Sequence, residues 1–338
     1  MSDGQPVEGS LYFYAPNKPA AIFFAVAFFI SGAAHLWQTI NYKAWRVTGY
    51  FPFCAALFAA GFALRAYGAF DYDNMPIYLT STILIYASPP ILELANYHIL
   101  GRIMYYVPYC APLHPGRVLT TFGTLSFLVE VLNGVGIAWL ARPGADPTIH
   151  KVGDALTKAS LILQVGVISL FVVLAALFQR RCAREGVGSR PEILKPLVTL
   201  YVSMGLISAR TIYRIVEHFG TSVLHKAVSD GVDLADLSPI IRYEWFFYVF
   251  EATLMVINTY MWNVFHPIMS LPRDYHVYLS RKGHTQIKGR GWEDDRPFLV
   301  TWMDPLGLFL KGDESKKPFW DVDEPDEAKN LTSRSEAV

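Results

Sequence analysis

Between about residues 20 and 265 the sequence carries seven apolar stretches, each long enough to cross a bilayer. A helix needs roughly 20 apolar residues for one crossing, and a soluble domain has no use for so many long apolar runs. Inside lipid the backbone must satisfy its own hydrogen bonds, so such spans are helical. The expected spans are 20–39, 50–69, 77–100, 119–140, 157–178, 195–219 and 241–265. The fold class that follows is all-α, a polytopic membrane bundle of seven transmembrane helices. Residues 1–19 form a segment ahead of it, 20–267 the transmembrane domain, and 268–338 a polar tail. Asn17-Lys18-Pro19 reads as a helix start, with proline in the first turn.

Lysine and arginine in short loops set the orientation. With the N-terminus outside, the outer segments hold Lys18, Arg142, Lys151, Lys226 and Arg242. The inner loops hold Lys43, Arg46, Arg102, Arg117, Arg180, Arg181, Arg184 and Arg190, and the tail adds more from Arg273 onward. This bias puts the N-terminus outside and the C-terminus in the cytoplasm, as an odd number of spans requires. The plasma membrane is the expected location. The tail's acidic, apolar-poor end is expected to be disordered, and its basic part at 281–290 to lie on anionic lipid or to act as a solvated linker.

Basic and acidic residues balance at 29 each, so no global field points to nucleic acid. The chain contains no GxxxxGK[ST] phosphate loop, so ATP binding is not expected. Cys54 falls in an apolar run, while Cys110 and Cys182 fall where loops are expected, and Cys182 reads as a surface thiol. His35, His98 and His266 are too scattered for a metal site. Neither a cofactor nor a metal is expected.

Charged groups at membrane depth are costly and mark sites or ion pairs. The sixth span carries Arg210, Arg214 and Glu217, spaced by four and three, hence on one helix face. The seventh carries Glu244, Tyr248 and Glu251 with the same spacing. These two spans run antiparallel, so depth can be counted from their outer ends. Glu217 and Glu244 lie near the mouth, Arg214 and Tyr248 next, and Arg210 and Glu251 deepest, roughly 15 Å down. The expectation is an Arg210–Glu251 pair and a contact from Arg214 to Glu217 or Glu244. Glu130, near the middle of the fourth span, needs a partner or a proton. Glu93 in the third span follows Ser88-Pro89-Pro90, where two prolines kink the helix and free carbonyls toward a cavity. Arg65 in the second span sits near its outer end, where it can snorkel.

Arg210-Thr-Ile-Tyr-Arg214-Ile-Val-Glu217 resembles the Arg-x3-Arg-x2-Glu signature of the fungal RTA-like family, lipid-translocating exporters named for resistance to aminocholesterol. The family's second acidic motif, on its last helix and ending in His-Pro, is similar to Glu244-Trp-Phe-Phe-Tyr248-Val-Phe-Glu251 followed by Asn263-Val-Phe-His266-Pro267. Gly61 with Arg65, Tyr97 with Leu100-Gly101-Arg102, Leu163-Gln164 and the opening Tyr12-x-Tyr14-x-Pro16 also fit. The chain departs at Phe58 and Phe62, where many members have Glu and Tyr. It departs again at Ser126, Glu130 and Asn133, where many have an Asp and a Gln, so a divergent member is implied. The resemblance implies a seven-span protein that moves amphipathic lipids or lipophilic toxic compounds, sphingoid-base or sterol-like, and confers tolerance to them. Its partners are membrane lipids and an amphipathic small molecule.

Two other functions fit seven spans. One is a receptor-like sensor of a lipophilic ligand, signalling through the basic inner loop at 179–190. The other is an intramembrane cyclase using Glu130 or Glu251 as a protonated acid. A static ion-pair staple that only fixes helix packing would need no ligand.

Overall fold

The computed structural model describes residues 16–71, 73–140, 146–229, 239–281, 285–289 and Trp320. The opening Tyr12-x-Tyr14, the loop at 141–145 and the acidic end of the chain lie outside the described residues. Helix α1 (Lys18–Asn41) starts where expected. The Asn17 side chain accepts a hydrogen bond from the Ala20 N–H at 3.0 Å, and proline occupies the first turn. After it come α2 (Trp45–Thr48), α3 (Tyr50–Gly68), α4 (Met75–Tyr106), α5 (Pro115–Leu140), α6 (Pro147–Arg184), α7 (Pro191–Ser229), α8 (Pro239–Arg242), α9 (Trp245–Phe247) and α10 (Leu254–Val264). Among the described residues six helices, namely α1, α3, α4, α5, α6 and α7 up to Gly220, are long and apolar enough to cross a membrane. Large apolar side chains such as Phe23, Phe29, Ile83 and Phe127 point outward from them, as lipid-facing surfaces require.

The last expected span, 241–265, does not form one regular helix. A π-helical turn, Tyr248–Thr253, joins α9 to α10 without a gap, and no α-helical piece is long enough to cross alone. The Thr253 hydroxyl donates to the Tyr248 carbonyl five residues back, at 2.9 Å. A π turn holds one extra residue, so it rotates everything before it by about 100° relative to an uninterrupted α-helix.

The chain divides into two compact units, with α4 to α7 contributing to both. The first takes the described residues of Met1–Ala95, Leu125–Ser169 and Tyr201–Val264. Its aromatic core stacks Phe28 on Phe58 with ring centroids 4.4 Å apart. Helices approach closely where glycine stands. A Cβ on Gly136 of α5 would lie 2.9 Å from both the Gly153 carbonyl oxygen and the Thr157 nitrogen of α6. A Cβ on Gly61 of α3 would press on Ile85 of α4 at 2.7 Å. Small residues at such crossings let membrane helices pack backbone to backbone. Helix α10 is tied on two sides. Asn258 and Trp262 bond Ser203 of α7, while Asn263 donates to Ser31 of α1, and His35 of α1 meets the Thr259 carbonyl.

The second unit takes the described residues of Asn96–Thr124, Leu170–Leu200 and Phe265–Val338. Tyr97, Phe122 and Phe171 form its edge-to-face aromatic cluster. Part of the stretch assigned to the tail is folded: β1 (Val277–Leu279) and β2 (Gln286–Lys288) pair antiparallel, burying Tyr278, Leu279 and Ile287. Arg102 donates to the carbonyls of Pro272 and Asp274 and lies 4.0 Å over the Tyr275 ring, which anchors the chain just before the hairpin. His266 is buried, and burial lowers its pKa to about 4. Cys182 is not a surface thiol. It lies in the last turn of α6, fully buried with its sulfur against that of Cys110.

Candidate functional site

Four helices of the first unit each turn a polar stripe inward. On α4 it is Tyr86, Pro90 and Glu93; on α5, Glu130 and Asn133; on α6, Thr157, Ser160 and Gln164; on α7, Arg210, Thr211 and Arg214. Spacings of three, four and seven within these sets place residues on one helix face; Thr211 follows Arg210 directly and lies three residues before Arg214. Together with Val129 and Leu161 these side chains line a small cavity of about 30 Å³. A cavity needs about 10–15 Å³ to hold one water, so this one holds about two.

Within it, Glu93 Oε2 accepts from Gln164 Nε2 and, at 3.4 Å, from the Ser126 hydroxyl. Ser160 donates to Asn133 Oδ1 at 3.4 Å. Glu130 lies beside Asn133 and within electrostatic reach of Arg210. The two arginines are held by carboxylates that do not line the cavity. Arg210 places Nε at 2.8 Å and Nη2 at 2.7 Å from Glu251 Oε1, with Glu251 fully buried. Arg214 pairs with Glu217, donates to the Tyr86 hydroxyl at 2.7 Å and stands 3.8 Å over that ring. The depth-matched Arg210–Glu251 pair expected from the sequence is therefore present, and of the two partners expected for Arg214, Glu217 or Glu244, it meets Glu217.

The other half of the seventh-span stripe goes elsewhere. Glu244 does not meet Arg214. Its Oε1 accepts from Arg65 at 2.9 Å and its Oε2 from the Asn17 N–H at 2.7 Å. Arg65 is buried rather than snorkelling, and lies 4.3 Å over the Phe247 ring. Tyr248 stacks on Phe24 of α1 at 5.4 Å and donates to the Asn17 carbonyl. The π turn is the reason. Glu251, Met255, Asn258 and Trp262 keep α-helical spacing and face α7, while the extra residue swings Glu244 and Tyr248 toward α1 and α3. The result is two ionic clusters in place of one slot. Asn263 belongs to neither and fixes α10 to α1, and His266 lies in the second unit.

Sequence reasoning missed Tyr86, Thr157, Ser160 and Thr211. Their signal was present: Thr157, Ser160 and Gln164 are a polar line on the most apolar helix, and Tyr86 sits seven residues before Glu93.

Residues 51–274 match the protein family described as RTA1 like protein. The chain is 46% identical to the lipid-translocating exporter-like protein RTA1 of Leptosphaeria maculans, over 91% of this chain and 61% of that relative's length. The chain therefore spans less than two thirds of that relative. It is 34% identical to the lipid-translocating exporter-like protein RTA1 of Ajellomyces capsulatus, over 71% of this chain and 75% of the relative. To protein RTA1 of Saccharomyces cerevisiae it is 24% identical, over 84% of this chain and 93% of the relative. No solved structure matches it.

Proposed function

The chain belongs to the RTA1-like protein family and is an integral membrane protein, and we propose that it translocates or exports amphipathic lipids or lipophilic toxic compounds, sphingoid-base or sterol-like, across the plasma membrane. In this reading the stretch 245–264 is the seventh span, the N-terminus faces outward and the tail from 268 faces the cytoplasm. The observation that carries the proposal is the water-sized polar cavity among α4, α5, α6 and α7, with ion pairs at membrane depth around it. Such groups are costly in a bilayer and mark pathways there.

A cavity of about 30 Å³ is far smaller than an amphipath's headgroup. The chamber in this conformation is too narrow for one, and passage of a headgroup requires α7 and the 245–264 stretch to part. The π turn supplies a break in helical register next to Glu251 where such a movement can begin. Glu130, Glu93, Arg210 and Arg214 then meet the headgroup, while its tail stays in lipid. Glu217, on the same helix as Arg214, holds that arginine meanwhile.

The test is efflux of labelled sphingosine from cells that express the wild type, Glu251→Gln, Arg210→Ala or no protein. Faster efflux with the wild type and loss of that gain in both variants is expected. Equal efflux in all strains at matched protein levels removes the exporter reading and leaves the sensor and the cyclase to be considered.

A further inference from the structure

We propose that Glu130 is a proton-binding residue whose protonation decides whether Arg210 stays with Glu251 or turns to Glu130, so that a proton gradient drives the movement of lipid. The proton-binding assignment stands on geometry; its coupling to lipid movement rests on the exporter reading above.

The cavity is lined by two arginines and two glutamates, and each arginine is already committed to a carboxylate beyond the lining. Glu130 makes no ion pair among the described residues; its neighbours are Asn133, one helical turn away, and the more distant charge of Arg210. A carboxylate in the middle of a membrane helix without a salt bridge is costly to keep ionised. A proton removes that cost and gives the carboxyl a donor.

A second observation points to the same ligand. Gln164 is 5% exposed and lines the cavity, yet its Oε1 has no hydrogen-bond partner among the described residues. Its amide nitrogen is used on Glu93. The cavity therefore presents a buried acceptor that lacks a donor, with room for about two waters. A protonated Glu130 supplies the donor, directly or through one of those waters. Glu251 Oε2 is likewise buried without a partner among the described residues, so Arg210 holds only one oxygen of Glu251. That grip leaves the guanidinium a fork with which to reach a second carboxylate.

Each neighbouring helix turns polar groups toward the cavity that holds Glu130. They are Tyr86 and Glu93 on α4, Arg210 and Arg214 on α7 with Glu217 and Glu251 behind them, and uncharged Thr157, Ser160 and Gln164 on α6. When Glu130 loses its proton, Arg210 is the nearest cation to neutralise it. Moving there loosens α7 from the π turn. Proton transfer is the whole chemistry: one O–H bond forms on Glu130 and one breaks on hydronium or water, with no redox step.

Two measurements test this on the full chain in nanodiscs and proteoliposomes. In nanodiscs, infrared difference spectra across a pH titration report protonated carboxyls. The wild type is expected to show a protonated-carboxyl band that Glu130→Gln loses, Glu130→Asp retains with a shift, and Glu93→Gln keeps. A band that survives in Glu130→Gln, or that Glu93→Gln abolishes instead, overturns the assignment. In proteoliposomes, an imposed pH gradient is expected to speed movement of fluorescent sphingosine by the wild type. After subtraction of the rate in protein-free liposomes, Glu130→Gln is expected to show no acceleration by the gradient, whatever its rate without one. A gradient response retained in Glu130→Gln overturns the coupling. Probe movement absent from every preparation refutes the exporter reading and the coupling with it, while the infrared result still decides the proton site.

Discussion

The Arg210–Glu251 pair lends itself to a quantitative prediction because the same chain contains its own control. Glu251 is fully buried and Arg210 only 11% exposed, with two nitrogens converging on one oxygen. Arg281 and Glu185, by contrast, pair at 3.1 Å with side chains 49% and 35% exposed. Removing one member of a buried pair strands the other charge and costs about 3–5 kcal/mol, whereas replacing both with apolar residues is often close to neutral. An exposed pair is worth about 0–1 kcal/mol. A double-mutant cycle with Arg210→Met and Glu251→Leu should therefore give a coupling of at least about 3 kcal/mol, since each single change carries the stranded-charge cost and the double change does not. The cycle with Arg281→Met and Glu185→Leu should stay below about 1 kcal/mol. The two single changes in the buried pair should also differ. Glu130 lines the same cavity as Arg210 and lies within its electrostatic reach, so Glu251→Leu should fall at the lower end of the range, and adding Glu130→Gln should raise its cost. The assay is equilibrium unfolding in mixed micelles. Equal couplings for the two pairs would refute the mutual dependence of the buried pair.

Two further predictions use other parts of the molecule. Gly136→Ala puts a methyl group 2.9 Å from backbone atoms of α6, so overpacking should destabilise the protein by about 1–3 kcal/mol in the same unfolding assay; Gly134→Ala, with open space around it, should not. The Asp274 carboxylate accepts from Lys288, from the His276 N–H and from the His276 ring, which holds its pKa well below the ordinary carboxylate range. A depressed pKa stabilises above the unfolded value and loses that stabilisation as pH falls through the folded one. Hydrogen exchange at the β1–β2 hairpin should therefore rise as pH drops below about 3.9, after correction for the intrinsic exchange rate, and the rise should vanish in Asp274→Asn.

The sequence by itself determined the number and placement of the apolar helices up to α7, the start of α1 at Asn17, the Arg210–Glu251 contact, and for Arg214 a choice between Glu217 and Glu244. These depend on composition and on regular helical spacing, which one strand of residues can display. The partner of Glu244 was decided by tertiary structure, because a single π turn re-aims every side chain before it, and no residue type marks such a turn. The cavity was decided there as well. Its stripes on α4, α5, α6 and α7 are each visible along the chain, but which stripes face one another depends on how the helices rotate as they pack. Close approaches such as Gly136 against Gly153 set that rotation. The hairpin after residue 276 was likewise hidden in a polar stretch. Its short strands hold because Tyr278, Leu279 and Ile287 find a buried place among residues far away in the chain, and no local pattern encodes that.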